Sequence, residues 1–282
     1  MLVSNLEVQV VLFYETGDPV NELIEIAIDT IRLWEPSALE QNHAGFTVAF
    51  SGGKDSCVIK RLTQLAGVKH QCVYNVTTID PPELVHFIRQ HHPDVRWNHP
   101  KRTFFTAIAA RGLPTRQFRW CCEEFKESNR EPGWSILGVR ADESERRAAR
   151  WKIVTRFEKH GLTTMSLAPI LYWTEDDVWQ FIHDEKLPYC SLYDEGRDRI
   201  GCIGCPMGGT DRRKSDLARW PRYDRLYRRA CAELWERKAG TMTRQGDKEW
   251  FGSRCFTTSD EMFEWWLSDE SLPPALCGMP VD

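Results

Sequence analysis

Three observations predict a doubly wound α/β fold. A short β-rich run passes through a glycine turn straight into an amphipathic helix, a second strand and helix follow at once, and further short strand candidates recur through the middle of the chain. The first strand is Phe46 to Phe50, and the helix after it carries Val58, Leu62 and Leu65 on one stripe. The second strand, Gln71 to Thr77, leads through Asp80-Pro81-Pro82-Glu83 into a helix with Leu84, Phe87 and Ile88 on one face. Val95 to Trp97, Ser135 to Val139 and Leu167 to Leu171 are the remaining strand candidates, and the alternation of strand and helix implies parallel pairing with right-handed crossovers. Ahead of the sheet, Pro19 to Trp34 has the helical period, with Leu23, Ile26, Ala27 and Ile31 together. After it, Thr174 is placed to cap a helix whose third residue is Asp177 and whose apolar face is Val178, Phe181 and Ile182. Past Cys205 the pattern is helical and basic. This gives a helical lead-in over 1–44, an α/β domain over 45–190 and a mainly helical C-terminal extension over 191–282.

The 282 residues carry a net charge of −4, with 41% hydrophobic and 28% charged residues, a balance that excludes a disordered or fibrous chain. The longest clean apolar run near the start, Val10 to Tyr14, is far short of the ~20 residues a membrane helix needs. No basic segment followed by an apolar stretch and a cleavage site opens the sequence, so a soluble cytoplasmic protein is expected. In that setting ten cysteines point to packing, metal or redox chemistry more than to a disulfide framework.

The turn Ser51-Gly52-Gly53-Lys54-Asp55-Ser56 lies where a strand ends and a helix begins, so backbone N–H groups and the positive end of the helix dipole converge there. Gly52 and Gly53 admit phosphate oxygens close to the backbone, Ser51 and Ser56 can donate, and Lys54 adds charge. Two glycines alone would suit any tight turn; with Lys, Asp and two Ser in this order the loop reads as a phosphate site. It is not a Walker A loop, which needs G-x-x-x-x-G-K-[ST].

Ser51–Ser56 resembles the pyrophosphate loop of the N-type ATP pyrophosphatases, a group that includes the PAPS reductase family. Further segments agree in the same order: Thr77 to Glu83, Arg119-Trp120-Cys121-Cys122 with Lys126, Gly138 to Ser144 with Arg147, Pro169-Ile170 with Trp173-Thr174, and Arg199 to Pro206. The resemblance covers roughly residues 45 to 210 and implies an adenine nucleotide α-hydrolase-like, Rossmann-like sheet that binds ATP with Mg²⁺. It makes Lys54, Asp55, Arg140 and Glu143 the expected catalytic group. Arg140 would touch phosphate, and Glu143 would orient Arg140 or help to hold Mg²⁺. Asp55 would reach Mg²⁺ through water or cap its helix, while Arg147, i+4 from Glu143, and Asp80 complete the nucleotide contacts.

Cys202-x-x-Cys205, flanked by Gly201, Gly204 and Pro206, is a metal or cluster hairpin, with zinc, cluster and redox disulfide all open to a lone C-x-x-C. With the vicinal pair Cys121-Cys122 it resembles the [4Fe–4S]-binding set of adenylylsulfate-type reductases and of the ATP pyrophosphatases of DNA phosphorothioation systems. Adjacent thiolates chelate one Zn²⁺ awkwardly, whereas different irons of a cubane accept neighbouring sulfurs, which favours the cluster. Cys190 is the alternative to Cys121 as fourth ligand and is more simply a buried thiol; Cys57, Cys72 and Cys231 fit the core. The tail cysteines Cys255 and Cys277 lack the Glu-Cys-Gly-x-His setting of a sulfonucleotide reductase nucleophile.

Between Arg197 and Arg229 ten basic residues face four acidic ones, with Trp220, Tyr223, Tyr227 and, just beyond, Trp235 interleaved, which suits either a solvated helix with paired arginines or a surface for a nucleic acid, a nucleotide or an acidic partner protein. The His91-His92 pair is read as loop surface. The expected function is adenylation of an acceptor by ATP for sulfur incorporation, with DNA phosphorothioate modification as the particular reaction. Its sulfur would come from a cysteine desulfurase or another donor. The alternatives are a PAPS or adenylylsulfate reductase and a non-enzymatic nucleotide- or DNA-binding module.

Overall fold

The computed structural model describes residues 20–127, 133–159, 162–237, 243–245, 248–250 and 256–268; Cys255 and Cys277 lie outside these. The chain forms two compact units that interleave along the sequence, where the sequence reading draws consecutive segments. The first comprises residues 1–75, 82–98 and 130–200, the second 76–81, 99–129 and 201–282.

The first unit is built on a six-stranded sheet of order β3-β2-β1-β4-β6-β5. Its strands are β1 Phe46–Ala49, β2 His70–Asn75, β3 Arg96–Asn98, β4 Gly133–Ile136, β5 Val154–Lys159 and β6 Leu162–Leu167. All neighbours pair in parallel except β5 and β6, which form an antiparallel edge with Val154 opposite Leu167. Helices α1 Val20–Gln41, α2 Lys54–Ala66 and α3 Pro82–His91 belong to this unit, as do the short α4 Glu145–Arg150 and α5 Glu175–Asp184. The expected stripes are largely the buried ones: Val58 and Leu62 on α2, Leu84, Phe87 and Ile88 on α3, and Val178, Phe181 and Ile182 on α5. Thr174 caps α5 in a reciprocal capping box with Asp177.

One expectation about the sheet is corrected. Leu167 to Leu171 is not a strand: β6 ends at Leu167, and Ala168, Ile170 and Leu171 form a buried turn that includes Pro169, which has no N–H for a ladder. The sheet is mostly parallel as expected, and β5, unmarked by any apolar run, adds an antiparallel edge strand in which Val154 and Phe157 sit among Thr, Arg, Glu and Lys. Helix α1 also runs past Trp34 and through Pro36 to Gln41. Packing offsets the missing hydrogen bond there: Trp34 stacks on Trp134 at 4.9 Å, and Ala38 is fully buried beyond the proline.

In the second unit, α6 Phe104–Arg111, a short turn α7 Trp120–Cys122 continued by a π-helical turn Glu123–Glu127, α8 Gly209–Arg219, α9 Pro221–Arg237 and α10 Ser259–Ser268 surround an aromatic core. Phe104 stacks on Trp120 and Tyr227 on Trp266, with ring centroids 5.5 and 5.1 Å apart. This unit also holds the two-stranded pair β7 Thr243–Gln245 and β8 Lys248–Trp250.

His92 is not surface. It is 8% exposed, T-shaped to Phe50 and Phe87, and its Nδ1 lies 3.1 Å from the Lys60 amine, which pairs with Asp94 at 2.6 Å. Burial, with the Lys60 charge beside it and only partial compensation from Asp94, pulls this imidazole down from 6.5 to about 4. The unfolded chain therefore takes up a proton as the pH falls through 6.5, and the folded chain does so only near 4. Stability should drop by about 3 kcal/mol across that window, above the window in which Asp94 titrates. Urea denaturation at several pH values should show this slope in the native protein and a flatter one in His92→Gln.

Candidate functional site

The strand order places the site. From β1 the chain winds outward through β2 and β3, then returns to add β4 on the other side of β1, so the loops leaving β1 and β4 meet at the switch point of the sheet. The β1 loop is Ser51–Ser56, and the segment leaving β4 carries Gly138 and Arg140. Gly138 passes so close that a Cβ there would lie 3.0 Å from the Asp55 carbonyl carbon and oxygen.

Within the loop the two glycines have different tasks. Gly52 has φ +75°, and a Cβ there would sit 2.7 Å from Leu84 and 2.9 Å from Ile88 on α3. Gly53 has ordinary φ, and its Cβ would meet only Tyr193 Oη at 3.4 Å and Ser51 Oγ at 3.5 Å. The Ser56 hydroxyl donates to the Gly53 carbonyl at 2.7 Å and accepts from Ser51 at 3.3 Å, so both serines brace the turn. The Lys54 amide donates to Tyr193 Oη at 2.9 Å.

Both expected cations are buried, Lys54 at 3% and Arg140 at 2% exposure. The Lys54 amine donates to the Asp198 carbonyl at 2.9 Å and lies 3.4 Å from the Glu175 carboxylate. Arg140 donates through Nε to Asp55 Oδ1 at 2.6 Å, and its two terminal nitrogens reach Asp142 at 3.2 Å and Glu175 at 3.6 Å. Burial works against its charge, but Asp55, Glu143 and Glu175 more than offset this and raise its pKa. Asp55 thus orients Arg140. Glu143 pairs instead with Arg147 and, at 3.5 Å, with Arg199. Sequence reasoning does not single out Tyr193 or Glu175; Glu175 falls there only inside the helix start capped by Thr174.

The second unit gathers the other candidates. Cys121, Cys122, Cys202 and Cys205 are all half-buried, and the Cys121 thiol feels the charges of the other three. The hydrogen bond between the vicinal pair, aided by Lys126 and Arg119 against burial, lowers Cys122 to about 6 and raises Cys121. Burial lifts Cys202 to about 11 despite Lys126. Lys126 itself is held above its ordinary value by Cys202 first, then by Asp80, Cys122 and Cys205 against desolvation. Backbone contacts fix the hairpin: the Ile203 amide donates to Ile79 O at 2.8 Å, and the Gly204 amide to buried Asp216 at 3.2 Å. Tyr227 Oη donates to Ile203 O at 2.8 Å. Gly204, at φ +69°, approaches the Tyr227 ring, which a Cβ would meet at 3.1 Å. Among the described residues no three His, Cys, Asp or Glu side chains are arranged to hold a single metal ion. Asp80, expected among the nucleotide contacts, accepts from the Thr77 amide at 2.9 Å and faces Lys126 in this unit. Cys57, Cys72 and Cys231 are core thiols, and Cys190 is fully buried in the first unit near Glu83, Glu195 and Asp194.

The basic segment is less uniform than its composition suggests. Arg213 is fully buried, donates to Trp266 O at 2.6 Å and lies over the Trp266 ring. Trp220 and Tyr227 are core, Tyr223 Oη donates to Asp80 O, and Arg228 pairs with Asp224, Asp260 and Glu264. Arg222, Arg225 and Arg229 form an exposed stripe on α9, and among the described residues the first two carry no ion pair.

A glycine loop at the switch point of a mostly parallel sheet is the place where open α/β sheets bind their ligands. The family model of the phosphoadenosine phosphosulfate reductase domain matches residues 45–207, and the chain belongs to that family. An uncharacterized protein of Methanocaldococcus jannaschii is 32% identical over 200 residues, 64% of this chain and 41% of that protein. The adenosine 5'-phosphosulfate reductase of Oceanobacillus iheyensis is 36% identical over 89 residues, 32% of this chain and 35% of its own length. The chain thus spans less than half the length of either relative. Among solved structures, the phosphoadenylyl-sulfate (PAPS) reductase of Candida auris covers 65% of this chain and 93% of its own, at 14% identity and a TM-score of 0.46. The U34-tRNA thiolase of Methanococcus maripaludis, solved with its [4Fe–4S] cluster, covers 78% and 80% at 13% identity and a TM-score of 0.42. No helix among the described residues is long and apolar enough to cross a membrane.

The loop geometry separates folding from binding at adjacent positions. Gly52→Ala should lose about 2 kcal/mol by chemical denaturation, from the positive φ and the clash on α3. Gly53→Ala should unfold within about 0.5 kcal/mol of the native protein.

Proposed function

We propose that the protein is a cytoplasmic ATP pyrophosphatase that adenylates an acceptor for sulfur incorporation, with a nucleic-acid phosphate as the acceptor, as in DNA phosphorothioate modification. The observation that carries this reading is the pair of buried cations, Lys54 and Arg140, at a glycine loop on the switch point, a fixed counter-charge for a departing polyphosphate. An acceptor oxygen attacks the α-phosphorus of ATP, the bond to the β-phosphate bridging oxygen breaks, and pyrophosphate leaves with the electron pair. A sulfide-level nucleophile, delivered by a cysteine desulfurase or another donor with a thiol reductant to free it, then displaces AMP without change of oxidation state. The chain's part is to align the phosphates with the loop amides, Lys54 and Arg140, so that positioning and preorganised charge do the work.

Asp55 uses Oδ1 on Arg140, so its Oδ2 is the oxygen that would reach Mg²⁺, which supplies added charge neutralisation when bound. Glu143 spends both oxygens on arginines and suits that role less. Cys121, Cys122, Cys202 and Cys205 are an all-thiolate set that fits a [4Fe–4S] cluster, whose supply would be sulfur or electron chemistry at that unit. The exposed Arg222 and Arg225 support a phosphate-bearing acceptor, since unpaired guanidinium forks bind phosphate in bidentate fashion. The second reading is a PAPS or adenylylsulfate reductase, favoured by the family itself.

Anaerobically purified protein should release pyrophosphate from ATP, faster with a DNA or tRNA acceptor, and Lys54→Ala should lower the rate at least about tenfold without loss of folding. Thioredoxin-dependent sulfite release from a sulfonucleotide, with no pyrophosphate from ATP, would establish the reductase instead. The same sample should be brown and hold about four iron per chain, and Cys202→Ser should lose the colour. Colourless protein with one zinc per chain would overturn the cluster.

A further inference from the structure

The phosphate site already holds an anion of its own. Glu175, the first residue of α5, places Oε1 3.4 Å from the Lys54 amine and Oε2 3.6 Å from Arg140 Nη2. It is the one carboxylate in the first unit's described ion pairs that touches both cations, where a bridging phosphate would sit. The three carboxylates around the two cations are held unequally. Asp55 is fixed at 2.6 Å on a side chain 23% exposed, whereas Glu175 keeps 46% of its side chain in solvent and its contacts are longer than hydrogen bonds. With Glu143 and its partners Arg147 and Arg199 counted, the carboxylates Asp55, Asp142, Glu175 and Glu143 balance the cations Lys54, Arg140, Arg147 and Arg199, so an arriving anion meets cations whose charge is already compensated.

We propose that Glu175 is a displaceable internal counter-anion that sets the charge threshold of this site, admitting polyphosphates and turning away singly bridging anions such as phosphate or sulfate. The inference rests on the phosphate-site reading above. Burial of Lys54 and Arg140 requires counter-charge while the site waits for ligand, because uncompensated ions in a low-dielectric setting are costly. A ligand must replace what Glu175 supplies. Pyrophosphate brings several charges to two cations and can do so, while a monophosphate offers little more than the carboxylate it would expel. The helix does not need Glu175 to start, since the Thr174–Asp177 capping box is independent of it. Swinging one half-exposed side chain into water is enough to open the position.

Calorimetric titration with inorganic pyrophosphate and, separately, inorganic phosphate tests this on the native protein, Glu175→Gln and Lys54→Ala. Glu175→Gln should bind pyrophosphate about tenfold more tightly and gain proportionately more for phosphate, so that the preference for pyrophosphate narrows. Unchanged or weaker binding in Glu175→Gln, with native binding that Lys54→Ala abolishes, would keep the phosphate site and overturn the counter-anion. No binding of pyrophosphate by any of the three would overturn both. Thermal melts of each variant confirm that the titrations compare folded proteins.

Discussion

The buried Arg140, paired with Asp55, is the constraint on which the candidate site depends. It joins the segment leaving β4 to the first turn of the helix leaving β1, the two places that a doubly wound sheet brings together at its switch point. Taking a guanidinium to 2% exposure is costly, and an apolar pair of similar volume would hold the strands as well or better. What such a pair would not do is fix a charged fork beside the loop. Gly138 serves the same end, since a Cβ there would press to 3.0 Å of the Asp55 backbone, where the two segments approach.

The second unit solves a different problem with the same economy of means. Its four half-buried thiols Cys121, Cys122, Cys202 and Cys205 lie on two distant stretches of sequence, and neither stretch has regular structure long enough to be rigid alone. Glu124 anchors the vicinal pair by accepting from Arg102 at 2.6 and 2.9 Å and from Arg111 at 3.2 Å. The hairpin is pinned through its backbone by Ile79 and Asp216 and packed on Tyr227. Tyr227 in turn stacks on Trp266, whose indole donates to Pro114 O at 2.7 Å. A short aromatic stack therefore carries rigidity from helix to loop, where hydrogen bonds alone would leave a glycine hairpin free to flex.

The parts legible in sequence were those where burial imposes a period. Helices α2, α3 and α5 each show one apolar stripe, and the strand-to-helix glycine loop is marked by two Gly, Lys, Asp and two Ser in one run. The edge pair β5 and β6 escaped because its residues are mostly Thr, Ser and charged, while the apolar run that looked like a strand is, from Ala168 to Leu171, a buried turn just past the end of β6. Charge counting failed similarly at the basic segment. It weighs Arg213 and Arg222 alike, yet one is fully buried against Trp266 and the other exposed, a difference set by which helical face meets the core. His92 was misjudged because a polar pair after a helix suggests solvent; Lys60, 32 residues earlier, gives its ring a buried partner.

Tyr193 and Glu175 show why this site in particular resists reading from motifs. Each satisfies a loop or cation in the resting protein, Tyr193 by accepting from the Lys54 amide and Glu175 by facing the Lys54 amine, so each looks like ordinary structure. Buried cations and amides cannot stand unmet, so internal groups must satisfy them in the resting protein. On the counter-anion proposal such groups would be displaceable, which favours long, half-exposed side chains at the ends of elements such as Glu175. Their residue types are common at helix starts and loop surfaces everywhere. They become visible only when distances identify which cation they serve.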